Sequence, residues 1–134
     1  MIMTAVTCLA LNVFFEARHE TITGQIAVAE VTLNRVADKR YPNNVCDVVW
    51  EKNQFSWTHD GKHDDPTRMS HLDQRAWESI VELSEDILDG QDILLGLSST
   101  HYHSVAVSPF WKSHYEADGR IGNHIFYTNE TPYK

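Results

Sequence analysis

Residues 4–36 read TAVTCLALNVFFEARHETITGQIAVAEVTLNRV, and two apolar rods joined by a short polar break account for them. The first is predicted as a helix from Thr4 to Ala17. Ala5, Val6, Leu9, Ala10, Leu11, Val13, Phe14 and Phe15 leave almost no polar face, so this helix must be covered on most sides. Its few polar residues are therefore informative. At about 100° per residue, Glu16 falls between Asn12 and Val13 around the axis, with Leu9 on the same side. A carboxyl group thus closes a buried rod. "ARHET" interrupts the pattern, and Thr21 or Thr23 can cap the next helix. That second helix is expected over residues 24–40, with Ile26, Ala29, Leu33 and Ala37 along one side.

The remaining chain reads outward from this pair. "YPNN" is a turn, and "NVCDVVWE" (residues 44–51) a third, short helix. "KNQFSWTHDGKHDDP" (residues 52–66) is polar and turn-rich, hence a long exposed loop. A fourth helix is expected from Ser70 to Leu88, with Leu72, Ala76, Ile80, Leu83 and Ile87 at helical spacing and Gly90 as its stop. "SSTHYHSVAV" (residues 98–107) and "GRIGNHIFYTN" (residues 119–129) read as strands. The expectation is an α+β, mostly helical domain with a small β-hairpin near the C-terminus. No repeat or linker divides residues 1–134, so one domain is expected.

The net charge of −8 argues against nucleic-acid partners, which select a basic surface, and against anionic membranes. The apolar run Ala5–Phe15 has the length of a signal-peptide core. It lacks a basic leader and a clean small-residue cleavage site, so it reads as a core helix and no signal peptide is expected. It is also shorter than the roughly 20 residues of a membrane span. Cys8 and Cys46 form no CxxC or zinc-ligand spacing. They read either as two small buried apolar residues or, outside the cytoplasm, as one disulfide.

Burial against apolar surface raises the pKa of a carboxyl group, and an acid still protonated near neutral pH can donate to a leaving oxygen. Glycosidic cleavage needs such a donor. Helix position alone favours a plainer reading of Glu16, a helix-end glutamate paired with Arg18 or solvated. Further motifs shift that balance. Glu16, Ala17, Arg18, Glu20, Gly24, Gln25, Asn34, Arg35 and Val36 are followed by "NQFSWTHDGK", "STHYH", "SPFW" and "IGNHIFY" in the same order. From about Leu9 to Tyr127 the chain resembles the cell wall hydrolase family typified by the spore-cortex-lytic enzymes. His19 stands where that family usually has glycine, in a turn where histidine tolerates positive φ better than β-branched residues do.

The resemblance implies a lysozyme-like fold and cleavage of peptidoglycan glycan strands. The bond is the β-1,4 link between N-acetylmuramic acid and N-acetylglucosamine. The reaction implied is that of a lytic transglycosylase, which leaves a 1,6-anhydro end and needs only one protein carboxyl; muramidase-type hydrolysis is the close variant. Glu16 maps to the catalytic position. Arg18, Glu20 and Gln25 are expected to support it. Glu20 could instead pair with Arg18 or favour the next helix N-terminus. Glu30, on the face of Ile26 and Leu33, is a rival buried acid.

Gln54, Phe55 and Ser56 are expected to line the sugar groove, because aromatic faces and a few polar groups make up most such sites. Phe55 and Trp57 could equally anchor the loop. On a strand, Thr100, Tyr102 and Ser104 share one face and His101 and His103 the other; Thr100 and Tyr102 are expected to meet substrate. His124 and Tyr127 read as structural, and Gly122 as a tight turn.

His101 and His103, or His59, His63, Asp64 and Asp65, suggest a zinc amidase or peptidase as the competing enzyme. No HExxH pair is present, so no metal and no cofactor is expected. A non-catalytic module that only binds wall glycan is the third reading. The lack of a wall-binding module and of a signal peptide suggests a phage or prophage lysis enzyme. Such an enzyme would be monomeric and would be held in the host cytoplasm before reaching the wall.

Overall fold

Thr4 begins the first helix as expected: its backbone is extended and its side-chain oxygen accepts from the Thr7 N–H. In the computed structural model, which describes residues 3–51 and 70–128, α1 spans Ala5–Ala17. Cys8, Leu9, Leu11 and Phe14 on it are wholly buried. Each such leucine or phenylalanine contributes about 1.5–3 kcal/mol by leaving water. The helix α2 (Ile22–Ala37) starts earlier than its apolar pattern suggests, because Thr21 is the cap and accepts from the Gly24 N–H. It ends where Asp38 turns extended. Asp38 then holds the backbone and guanidinium of Arg40, so "DKR" leaves the helix.

Two further helices complete the covering of α1. The short α3 (Val45–Val49) is capped by Asn44. The long α4 (His71–Leu88) is capped by Ser70 and buries Ile80, Ser84 and Ile87. Leu72, placed on the buried stripe by spacing, is 78% exposed. At roughly 100° per residue Leu72 lies about 80° round the helix from buried Ile80 and so falls outside the buried face, while its neighbour Asp73 pairs with Arg18. Phe14 meets Trp77 of α4 edge to face, with centroids 5.8 Å apart. Cys8 and Cys46 are joined in a disulfide, so the pairing prevails over two independent thiols.

The expected hairpin is one half of a three-stranded antiparallel sheet. β1 (His101–Ser104), β2 (Glu116–Ile121) and β3 (His124–Thr128) lie in the order β1-β3-β2. The run read as one strand over residues 119–129 is therefore broken at Gly122–Asn123, and its halves pair. The outer strand β1 matches Tyr102 with Phe126 and Ser104 with His124. Central β3 buries Phe126 in the helical core.

The second helix stitches the sheet to that core. Glu30 is buried, and its carboxylate accepts the N–H groups of Leu95, Gly96 and Leu97 at 2.7, 2.8 and 3.0 Å. Asn34 donates to the carbonyls of Leu97 and Ser99, and Arg35 to that of Thr100. The rival acid is thus occupied in holding the approach to β1. A Glu30→Gln substitution sets an amide NH₂ against backbone donors. It should cost about 3 kcal/mol, or about 10 °C in Tm, in a thermal melt.

Candidate active site

The last turn of α1 leads directly into the site. Glu16 is half-buried there, one turn after Asn12. It lines a cleft of about 290 Å³ whose one wall is the chain from Phe15 to Glu20 and whose other wall is Ser104, Asn123 and His124. The register explains the second wall. Ser104 and His124 are direct partners at the end of β1 and the start of β3, beside the turn carrying Asn123.

Below Glu16 runs a buried polar strip. The Thr32 hydroxyl donates to Asn12 Oδ1 at 3.0 Å. Asn12 also interacts with the Tyr102 side chain, whose hydroxyl is buried. Burial pushes the Tyr102 phenol well above its ordinary range, and the charge of Glu16 adds to that rise. Tyr102 is therefore a neutral hydroxyl at neutral pH. Arg35 is lowered mainly by burial, and Glu16 is among the groups opposing that shift. Glu16 thus lies within electrostatic reach of a buried phenol and a buried guanidinium.

Two of the expected supporting residues contact the end of this helix or its last turn. Gln25 donates from Nε2 to the Ala17 carbonyl at 3.3 Å, tying α2 to the last turn of α1. Arg18 pairs with Asp73 at 3.2 Å and lies over the Phe14 ring, 5.0 Å from its centroid. The pairing of Arg18 with Glu20 considered from sequence gives way to this contact.

Glu20 instead reaches across the cleft. Its Oε1 accepts the Asn123 N–H at 2.7 Å, and its Oε2 accepts from Asn123 Nδ2 at 3.2 Å. His124 Nδ1 lies 3.3 Å from the same Oε1. The Asn123 backbone N–H is the main cause holding the Glu20 carboxyl below its usual range, with burial opposing. Glu20 is therefore an acceptor and not a proton donor. Two glycines make room for it. A side chain at Gly122, where φ is +58°, would bring Cβ to 2.5 Å from Oε1, and one at Gly24 would bring Cβ to 3.0 Å from the Glu20 Cβ.

Thr100 and Tyr102 do not line this cleft. Thr100 is buried, its N–H donates to the Tyr127 carbonyl, and its hydroxyl lies 3.0 Å from His101 Nδ1. Tyr102 sits behind the wall, packed on His124 and Phe126. The alternation along β1 holds, since His101 and His103 face an aromatic cluster with Trp111, Tyr115 and Tyr127. Burial lowers His101 to about 4. Both ring nitrogens of His103 are engaged, with the Ser104 carbonyl and the Tyr127 hydroxyl. Among the described residues no three potential metal ligands converge. Gln54, Phe55, Ser56 and Trp57, with the histidines and aspartates of "HDGKHDD", lie outside the described residues.

His124, which the sequence suggests is structural, lines the cleft with Ser104 and Asn123, to which the sequence gives no role in the site. A signal is present in "IGNHIFY". Only the strand register, however, brings "GNH" opposite Ser104 and the α1 end.

These features define an α+β domain in which a helix-borne glutamate and a small antiparallel sheet face one another across a cleft. The chain belongs to the cell wall hydrolase family, whose model matches residues 19–127, beginning just past Glu16. It is 32% identical over 118 residues to a spore cortex-lytic enzyme of Halalkalibacterium halodurans, covering 88% of this chain and 33% of the relative. The spore cortex-lytic enzyme of Bacillus subtilis is also 32% identical over 118 residues, 88% of this chain and 35% of that protein. The chain thus spans about a third of the curated relatives it matches. In structure it is similar to the catalytic domain of the germination-specific lytic transglycosylase SleB from Bacillus anthracis, with a TM-score of 0.68 and 26% identity. That match covers 96% of this chain and 97% of the catalytic domain.

Proposed function

We propose that this chain cleaves peptidoglycan glycan strands at the β-1,4 bond between N-acetylmuramic acid and N-acetylglucosamine, as a lytic transglycosylase. The observation that carries the reading is the place of Glu16. It stands on the cleft wall, over a buried polar strip, in a domain similar along its length to a lytic transglycosylase catalytic domain.

In this reading Glu16 donates its proton to the glycosidic oxygen as the bond from the muramyl C1 breaks. The resulting carboxylate then accepts the proton of the muramyl 6-hydroxyl, and that oxygen bonds to C1. The products are a 1,6-anhydromuramyl end and a free 4-hydroxyl, with the protein returned to its starting state. No second carboxylate is required. This agrees with Glu20 and Glu30, which are held by Asn123 and by the N–H groups of residues 95–97. Arg18 and Gln25 position the helix end, and Glu20 holds the Asn123 turn across the cleft. Tyr102, a neutral hydroxyl, supports Glu16 from behind the wall, and Thr100 holds β1. Gln54, Phe55 and Ser56 are retained as the groove's sugar contacts.

A monomeric acting unit is part of the same reading. The family supports the bacterial wall as the place of action. The test is mass spectrometry of purified peptidoglycan after digestion. Anhydro-muropeptides are expected. Reducing muramic ends would convert the reading to hydrolysis, and free stem peptides would replace it with an amidase.

A further inference from the structure

The catalytic reading leaves a histidine in the cleft without a task. His124 is largely buried, yet it lines the cleft together with Glu16. Its buried Nδ1 edge lies 3.3 Å from Glu20 Oε1, an ion-pair approach outside hydrogen-bond geometry, and no other polar group approaches it among the described residues. The Nε2 edge differs: no hydrogen bond engages it among the described residues, and it is not among the buried polar atoms lacking a partner. Nε2 is thus the ring nitrogen turned from Glu20, on a residue that lines the cleft.

Glu20 decides what that atom is. Three groups converge on its carboxylate: the Asn123 N–H, Asn123 Nδ2 and His124 Nδ1. The Asn123 N–H takes the shortest approach to Oε1, which leaves His124 sharing that oxygen at a longer distance. An ionised carboxylate can only accept. It therefore selects the imidazole tautomer with hydrogen on Nδ1, as carboxylate partners do for functional histidines elsewhere. Burial lowers His124 below its ordinary value, in keeping with a neutral ring. The other ring neighbours, Tyr102 and Phe126, are aromatic faces and offer no competing acceptor at Nδ1.

We propose that Glu20 and His124 form a saccharide-positioning pair. Glu20 fixes the Nδ1–H tautomer, and the unprotonated Nε2 accepts a hydrogen bond from a hydroxyl or acetamido N–H of the glycan bound in the cleft. This rests on the glycan-cleavage reading for its ligand class, but not on the reaction outcome. His124 is a positioning residue and takes no proton in the chemical step.

The probe is a β-1,4-linked N-acetylglucosamine tetramer, titrated into the uniformly ¹⁵N-labelled protein. Long-range proton–nitrogen NMR reports the tautomer directly, and His124→Asn assigns the resonances. The proposal expects hydrogen on Nδ1 in the free protein and a shift of Nε2 as the tetramer saturates. It further expects affinity to fall roughly 3- to 10-fold in His124→Asn, the loss of one neutral hydrogen bond. His124→Gln, whose carbonyl reaches farther, should regain part of that loss. Hydrogen on Nε2, an unmoved Nε2 at saturation, unchanged affinity in His124→Asn, or no binding of the tetramer would each overturn it. If the tetramer shifts His124 while wall digests contain no anhydro ends, the cleavage reading falls and this contact stands. Anhydro ends with an indifferent His124 would leave the cleavage reading in place and remove the contact.

Discussion

Glu16→Gln is expected to give a folded protein that releases anhydro-muropeptides about 10³-fold more slowly than the parent, the scale of a lost general acid. Glutamine has nearly the same volume and keeps one carbonyl acceptor. The wall around residue 16 should therefore hold its shape. The apolar core of α1, from Cys8 to Phe14, is untouched. Nearby electrostatics change at two groups. Buried Tyr102 loses a charge that raises its phenol, which is harmless because that group is already neutral. Buried Arg35 loses one of several groups that favour its cation. A shift within about 1 kcal/mol is expected, because the first change is neutral and Glu16 is the smallest of the groups that favour the Arg35 cation. The thermal melt should nearly coincide with that of the parent while the product assay collapses. Parental rates in Glu16→Gln would remove the proton donor from the proposal.

The helical part of this fold is legible in the sequence because its information is local. The apolar wrap of α1 and the break at "ARHET" need only nearest turns to interpret. The limits of that reading are also physical. Thr21 and Thr23 are equally good caps by type, and only backbone geometry selects Thr21. Leu72 fits the α4 spacing, yet the angular drift along successive i+4 steps carries it off the buried face. Glu30 resembles a candidate acid because its partners, the N–H groups of residues 95–97, carry no side-chain signature. Glu20 and Asn123 stand far apart in the chain, and no periodicity links them. Motif order points to Glu16, and the fold sets that residue on a cleft wall. The opposing wall depends on pairing β1 with β3, and that is a long-range fact.

Reducing the Cys8–Cys46 disulfide is expected to lower stability by about 4 kcal/mol, from the chain entropy released by opening a loop whose ends are 38 residues apart. For a chain of this size that is a fall of roughly 10–15 °C in Tm. The bond joins α1 to α3 well before the Glu16 end of α1, about two turns or 12 Å back along the helix. Its effect should therefore appear as stability and not as chemistry. Below the reduced protein's melt, reductant should leave the rate of product formation nearly unchanged. Cys8→Ala combined with Cys46→Ala should reproduce the lowered Tm and abolish any further response to reductant. Such a staple persists in oxidising surroundings, the condition outside the cytoplasm where a wall-cleaving enzyme meets its substrate. Coincident melts with and without reductant would show that the helices carry the fold unaided. A lost rate at full folding would place the bond in control of the Glu16 wall instead.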